Sequence, residues 1–176
     1  MPRTARASID VPILAFGAFS GALFIYFTKR GKERGLMQRN RRDDIEFDLR
    51  DFGARPQIFN VARLSRLNPY YRTALWTGDY LQLTLMSINV REDIGLEVHE
   101  DTDQFIRIES GYALVEMGSE RDNLSFSARI NANYAVAVPA GTWHNITNIG
   151  STPLKLYSIY APPHHPFGTV TPEKPE

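Results

Sequence analysis

The 176-residue chain contains no cysteine. This absence excludes a disulfide scaffold, a thiolate-bound zinc site, an iron–sulfur cluster and a thiol nucleophile. The sequence also lacks a glycine-rich phosphate-binding loop and the order of serine, histidine and aspartate expected of a hydrolase triad. Any metal in this protein must therefore be held by imidazole, carboxylate and amide groups.

The chain has no net charge either, because 20 lysines and arginines balance 20 aspartates and glutamates. The balance conceals two unlike parts. Residues 1–42 hold nine basic and two acidic residues, a net charge of +7, so the rest of the chain carries a net charge of −7. A basic arm is thus joined to an acidic body of about one domain's length. The acidic body argues against a nucleic-acid partner.

The basic arm contains the one long apolar stretch of the sequence, residues 11–27, which has no charged side chain. As a helix it would be about 26 Å long, against roughly 30 Å of bilayer hydrocarbon. Pro12 suits a first helical turn, and Gly17 and Gly21 form a GxxxG surface for another helix. We therefore predict an N-terminal transmembrane-type anchor helix in residues 1–28, inserted in the membrane through 11–27. A targeting segment and a buried core helix are the alternatives.

A polar linker arm follows over residues 29–57 and changes from basic to acidic near Asp43. By the positive-inside rule, its first basic residues place the body on the cytoplasmic or matrix-like side of the membrane. The same basic cluster either binds anionic lipid headgroups or belongs to a solvated linker. At the other end of the chain, residues 164–176 form a proline-rich tail in which we interpret His164 and His165 as surface residues.

Between these segments, residues 58–163 show the pattern of an all-β domain. Apolar residues alternate along 80–88 and 104–109, and further strand-like runs cover 112–117, 135–138, 143–149 and 154–159. Glycine and proline separate the runs, for example at 139–141 and 150–153. The spacing predicts a sandwich or a barrel. Helical and irregular structures compete over residues 60–75.

Residues 139–148 carry the most specific motif of the body. Pro139, Gly141, His144 and Asn148 fall at the spacing P-x-G-x2-H-x3-N, and this run resembles the second signature motif of the cupin superfamily. The family's motif begins with a glycine six residues before the proline. Here Asn133 occupies that position, and asparagine also tolerates the left-handed backbone for which glycine is used.

Residues 95–111 resemble the first cupin motif when the spacing is counted back from Gly111. In that register Gln104 stands at the family's glutamate, His99 at its second histidine and Glu97 at its first. The resemblance implies a jelly-roll barrel like that of the small single-domain cupins often labelled mannose-6-phosphate-isomerase-like. It also implies a metal site with four ligands, which are Glu97, His99, Gln104 and His144.

The chemistry of these side chains suits a metal. Glu97 and His99 are two residues apart, so on a barrel strand both point into the lumen. Two imidazoles with a carboxylate suit Fe(II), Mn(II), Ni(II) or Zn(II), and a neutral amide in place of the family's carboxylate lowers the affinity. Two alternatives stay open. Either the histidines are hydrogen-bonded lumen residues without a metal, or Glu97 forms an ion pair with Arg107 or Arg72.

Two classes of function are compatible with these features. In the first, the body is a membrane-tethered cupin that binds a divalent metal, a small polar sugar-like ligand, or both, with catalysis undecided. In the second, it is a non-catalytic structural subunit anchored in a large membrane assembly, such as an accessory subunit of a respiratory-type complex or a minor capsid protein over an internal viral membrane. In either class the resemblance implies a homodimer or a complex with other protein subunits.

Overall fold

The structure, a computed structural model, describes residues 49–176, and this part of the chain contains one short helix and nine strands. The helix is α1 (Val61–Leu67). The strands are β1 (Arg72–Thr77), β2 (Gln82–Ile88), β3 (Asp103–Ser110), β4 (Tyr112–Gly118), β5 (Phe126–Asn131), β6 (Ala135–Val138), β7 (Trp143–Asn148), β8 (Leu154–Ala161) and β9 (Val170–Thr171).

The strands form two antiparallel sheets. In the larger sheet the order is β6-β3-β8-β2-β1-β9, and in the smaller sheet it is β5-β4-β7. Long connections bring together strands that are distant in sequence, since β8 pairs with both β2 and β3. This two-sheet arrangement is a jelly roll, and it confirms the prediction of an all-β body.

The main core lies between the two sheets. Alternate residues point into it, including Ile106 and Ile108 from β3, Leu156 from β8, Val115 from β4 and Ile146 from β7. Each of these side chains is at most 1% exposed, and burying one of them stabilises the fold by roughly 1.5–3 kcal/mol. The alternation in the sequence therefore marks the inner face of the barrel.

The helix α1 covers the face of the larger sheet opposite the main core. Asn60 caps it, because its side chain accepts a hydrogen bond at 3.1 Å from the amide of the third helical residue. Leu64 of the helix packs with Leu75 of β1 and Leu85 of β2 in a second apolar cluster. The region over 60–75, which the sequence left open, is thus a seven-residue helix followed by the first strand.

The membrane-anchored localisation predicted from the sequence is wrong. A spanning helix needs about 20 predominantly apolar residues, whereas α1 has seven, and no helix within residues 49–176 is long and apolar enough to cross a membrane. This finding contradicts the predicted localisation. The predicted anchor, residues 1–28 with the apolar stretch 11–27, lies outside the described residues, as do residues 29–48 of the linker arm.

Candidate metal centre

A backbone pairing at one end of the barrel brings predicted ligands together. The amide of Glu97 donates to the carbonyl oxygen of His144 at 3.0 Å, and the amide of His144 donates to the carbonyl oxygen of Glu97 at 2.9 Å. Beside this pair, the amide of Gly141 donates to the carbonyl oxygen of His99 at 2.8 Å. Gly141 has a φ of +74°, a conformation that glycine adopts without strain. The turn at Gly141 therefore fixes the start of β7 against the segment that carries Glu97 and His99.

The side chains of these three residues converge. Oε1 of Glu97 lies 3.4 Å from Nε2 of His99 and 3.4 Å from Nε2 of His144. One ligand atom from each residue can be chosen so that all lie within 4.8 Å of one another. The side chains of the two histidines are 4% and 1% exposed, and that of Glu97 is 24% exposed. Three groups that can coordinate a cation thus lie together in one largely buried part of the barrel.

The spacing of these atoms fits a metal ion. A separation of 3.4 Å is longer than the roughly 2.7–3.2 Å of an ordinary hydrogen bond. Two ligand atoms that are each about 2.1 Å from a common ion lie roughly 3.0–3.4 Å apart. Oε1 of Glu97 and Nε2 of both His99 and His144 are buried, and none of them makes a hydrogen bond within the described residues.

The hydrogen bond of Nδ1 indicates which ring nitrogen of His144 carries the proton. Nδ1 lies 2.9 Å from the carbonyl oxygen of Thr142, and since a carbonyl oxygen only accepts, we assign the proton to Nδ1. In the neutral ring the lone pair of Nε2 then faces the carboxylate of Glu97. Two such acceptors need a proton or a metal cation between them, and a carbonyl oxygen on the distal nitrogen is the usual support of a metal-binding histidine.

The electrostatic surroundings of Glu97 favour its charged form. Burial raises the pKa of this carboxyl, but when the facing imidazoles carry a proton on Nε2, their hydrogen bonds and positive charge, those of His144 before those of His99, outweigh the burial and lower the pKa to about 2. Glu97 is therefore a carboxylate at neutral pH and can bind a cation without first losing a proton.

Gln104, the fourth predicted ligand, lies near the start of β3 on the inner face. It is 4% exposed and pairs across the sheet with Tyr160 of β8. Its Nε2 donates to the hydroxyl of Ser158 at 2.9 Å. Its Oε1, the amide atom that coordinates metals, is buried and has no hydrogen-bond partner within the described residues. Gln104 therefore offers an unengaged oxygen to the lumen.

The alternative ion pair between Glu97 and an arginine is not formed within residues 49–176, whereas the alternative of lumen histidines without a metal stays a prediction. Arg107, one of the two expected partners of Glu97, lies instead 3.6 Å from Glu109, which is also 3.6 Å from Arg66. Arg72, the other expected partner, forms no ion pair with a carboxylate of residues 49–176. The imidazole nitrogens that face Glu97 are also not satisfied by hydrogen bonds from this part of the protein.

The C-terminal segment adds residues to the site that the sequence interpretation missed. The ring centroid of His164 lies 4.0 Å from that of His99, and the ring of Tyr160 lies 5.7 Å from His99 and 5.0 Å from His165. All four histidines of the chain are therefore at this end of the barrel. His164 is exposed, as expected, but it packs on a predicted ligand, and His165 is half-buried rather than on the open surface.

A buried glutamine fixes this segment over the barrel. Gln82 of β2 is 0% exposed. Its Oε1 accepts hydrogen bonds from the amides of His164 at 3.3 Å and His165 at 2.9 Å, and its Nε2 donates to the carbonyl oxygen of His165 at 2.8 Å. The residues joined by these hydrogen bonds are separated by 82 or 83 positions in the sequence. No local pattern in the sequence could have revealed them.

Known proteins resemble this chain over most of the described region. Residues 84–160 match the family model described as a cupin domain. The chain is 53% identical over 137 residues to "Uncharacterized protein YrkC" of Bacillus subtilis (strain 168), covering 78% of this chain and 74% of that protein. It is 41% identical over 120 residues to "Uncharacterized protein L612" of Acanthamoeba polyphaga mimivirus, covering 68% of this chain and 73% of that protein. The crystal structure of BH2720 from Bacillus halodurans has 56% identity and a TM-score of 0.71, covering 71% of this chain and 95% of that one.

Proposed function

The chain belongs to the cupin family, and we propose that its barrel binds a divalent metal ion through Glu97, His99 and His144, with Oε1 of Gln104 as a fourth ligand. The observation that carries this proposal is the convergence of buried ligand atoms, with Oε1 of Glu97 3.4 Å from Nε2 of each histidine and no hydrogen bond to any of them within the described residues. In a protein interior such atoms cost free energy unless a cation or a proton engages them.

The donor set limits which metals fit. Two imidazole nitrogens with a carboxylate and an amide oxygen suit Fe(II), Mn(II), Ni(II) or Zn(II), and the chain has no thiolate to offer. The set carries one negative charge, that of Glu97. When bound, such an ion polarises a carbonyl or hydroxyl group of a ligand, or lowers the pKa of a water molecule.

The protein residues prepare the site for that chemistry. The carbonyl oxygen of Thr142 holds His144 in the tautomer that presents Nε2, and burial of both histidines keeps bulk water away from the ligand atoms. His164 and Tyr160 border the same space. A small polar molecule bound beside the metal would contact these two rings, and we propose binding of such a molecule as the molecular activity.

The proposal is tested by metal loading of the full-length protein. The protein is stripped with EDTA, loaded separately with Fe(II), Mn(II), Ni(II) and Zn(II), desalted and analysed by inductively coupled plasma mass spectrometry. We expect about one ion per chain for at least one metal, because the ligand atoms are already brought together in the folded protein. His144→Ala is expected to lose this metal. Glu100→Gln, which changes an exposed neighbour of His99, is expected to retain it.

Circular dichroism of each variant shows whether a loss of metal reflects a loss of fold. A folded wild-type protein that retains no ion after any of the four loadings would overturn the proposal. It would leave the alternative of a structural, non-catalytic cupin module. Equal loss of metal from Glu100→Gln and His144→Ala would also count against the assigned ligands.

A further inference from the structure

Arg72 is a cation of the barrel lumen that the metal proposal does not use. In β1 it pairs with Met86 of β2, and directly paired residues of neighbouring strands share one face of a sheet. Met86 is 2% exposed and belongs to the main core. The side chain of Arg72 therefore leaves the sheet on its inner face, and its Nε is shielded from solvent.

No anion within residues 49–176 neutralises Arg72. Its Nε makes no hydrogen bond and its guanidinium forms no ion pair there, although it packs over the ring of Tyr71 at 5.3 Å. By contrast, Arg66 and Arg107 both lie 3.6 Å from Glu109. Arg72 is half-buried, and a cation that is partly removed from water without a counter-charge is costly. Its presence in the lumen indicates a place for an anion that comes from outside the chain.

The groups around Arg72 are neutral. The hydroxyl of Thr84 and Nε2 of His165 are buried and make no hydrogen bond within the described residues. The hydroxyl of Tyr160 is also buried and interacts with the side chain of Ser158. Thr84 lies close along the sheet, since it pairs with Ala74, two residues after Arg72. These three groups can therefore supply further hydrogen bonds to a molecule bound by the guanidinium.

Two of these neighbours respond to the charge of Arg72. Burial raises the pKa of Tyr160 to about 12, although Arg72 opposes the rise, so the hydroxyl stays protonated and can donate. Burial, and after it the charge of Arg72, lower the pKa of His165 to about 3. The His165 ring is thus neutral at neutral pH and adds no second positive charge.

We propose that Arg72 binds the carboxylate group of a small organic acid whose other polar end reaches the metal centre. The contact with the metal rests on the function proposed above, whereas the contact with Arg72 does not. A guanidinium offers two parallel N–H donors whose geometry matches a carboxylate. A phosphate dianion fits less well, because Arg72 is the one permanent cation described in this group and the carboxylate of Glu97 adds negative charge nearby.

The test compares carboxylates with an uncharged analogue on the full-length, metal-loaded protein. Lactate, 3-hydroxypropanoate, lactamide and inorganic phosphate are titrated by isothermal calorimetry into the wild type, Arg72→Gln and Arg129→Gln. Arg129 is exposed on β5, so its variant makes the same charge change away from the lumen. We expect the wild type to bind at least one of the two carboxylates more tightly than lactamide. Arg72→Gln is expected to lose about 10- to 100-fold in that affinity, and Arg129→Gln to lose none.

Two outcomes would overturn the inference directly. Wild-type protein that binds neither carboxylate more tightly than lactamide would do so, as would unchanged carboxylate binding by Arg72→Gln. Phosphate bound more tightly than both carboxylates, with this binding lost in Arg72→Gln, would reject the assignment of an organic acid.

Further measurements separate a ligand-binding Arg72 from a structural one and from the metal proposal. Arg72→Met is expected to unfold at the same or a higher temperature than the ligand-free wild type, because it removes a half-buried charge that forms no ion pair within residues 49–176. A lower unfolding temperature would assign Arg72 a structural role and contradict the inference. The metal content of Arg72→Gln is expected to equal that of the wild type. If no protein loads metal but carboxylate binding still depends on Arg72, the metal proposal fails and the Arg72 inference stands.

Discussion

Replacing Glu97 by glutamine is expected to perturb both the stability of the fold and the proposed metal centre, because one carboxylate contributes to both. Glu97→Gln keeps the size of the side chain and removes its charge. In the folded protein the pKa of Glu97 falls from 4.5 to about 2, and each pH unit corresponds to about 1.36 kcal/mol. With the facing imidazoles protonated, the ionised carboxylate therefore stabilises the metal-free protein by up to about 3 kcal/mol.

The pH dependence follows from the direction of this shift. A carboxyl whose pKa is lower in the folded than in the unfolded protein contributes its full stabilisation above the unfolded value. For Glu97 the contribution is complete above pH 4.5 and is lost as the pH falls to about 2. The wild type is therefore expected to lose stability in this interval faster than Glu97→Gln does, and the two proteins are expected to differ most at neutral pH.

Urea unfolding of EDTA-treated protein, followed by tryptophan fluorescence at neutral pH and near pH 3, measures this difference. Glu100→Gln is the matched control, because Glu100 is an exposed carboxylate in the same segment. If Glu97→Gln is as stable as the wild type at neutral pH, or more stable, the reasoning is refuted. The cost of burying the carboxylate would then equal or exceed its stabilisation by His99 and His144. The loading assay on the same variant is expected to show weaker metal retention, since a neutral amide is a poorer ligand.

Two further substitutions test the framework of the barrel. Leu75→Ala removes a 0% exposed side chain from the cluster beneath α1. We expect it to lower the free energy of unfolding by about 2–5 kcal/mol in urea titrations. The control Leu67→Ala, at a 48% exposed helix position, is expected to lower it by less than about 1 kcal/mol. Asn148→Ala removes hydrogen bonds donated to the carbonyl oxygens of Ile88, Asn89 and Thr152. Only Ile88 among these acceptors is a buried residue. Since an unsatisfied buried acceptor costs about 1–3 kcal/mol, we expect a loss of about 1–3 kcal/mol in thermal unfolding, and a loss no larger than that of the exposed Asn131→Ala would contradict this account.

The strands of the barrel could be predicted because their signal lies within single runs of residues. Gln104 and Ile106 of β3 are buried while Phe105 between them is exposed, and the sequence shows that alternation directly. The helix α1 could not be distinguished from irregular structure in advance, since seven residues complete only about two turns. Asn133 was expected to tolerate a left-handed backbone, and its φ of +74° confirms this expectation.

The candidate site was predictable only in part, for a physical reason. The position of His144 follows from the turn that directly precedes it, so a motif of ten residues contains the necessary information. Arg72 and His165 reach the lumen through pairings between distant parts of the chain, in which β1 lies beside β2 and Gln82 holds the C-terminal segment. The register of such pairings is set by the packing of the whole barrel, and no period along one sequence encodes it.

The residues at positions 97 and 104 relate the proposed metal centre to the proposed role of Arg72. The cupin pattern has a histidine at the first of these positions and a glutamate at the second, whereas this chain has Glu97 and Gln104, so the ligand set keeps one carboxylate but moves it. The carboxylate now lies 3.4 Å from both imidazoles. In β3, Gln104 therefore offers a neutral amide where the family pattern has a carboxylate, and this residue pairs with Tyr160. Because the charge of Arg72 acts on this same Tyr160, a glutamate at position 104 would compete for the guanidinium from inside the chain. The exchange thus retains a negative charge beside the histidines and leaves Arg72 available to an anion from solution.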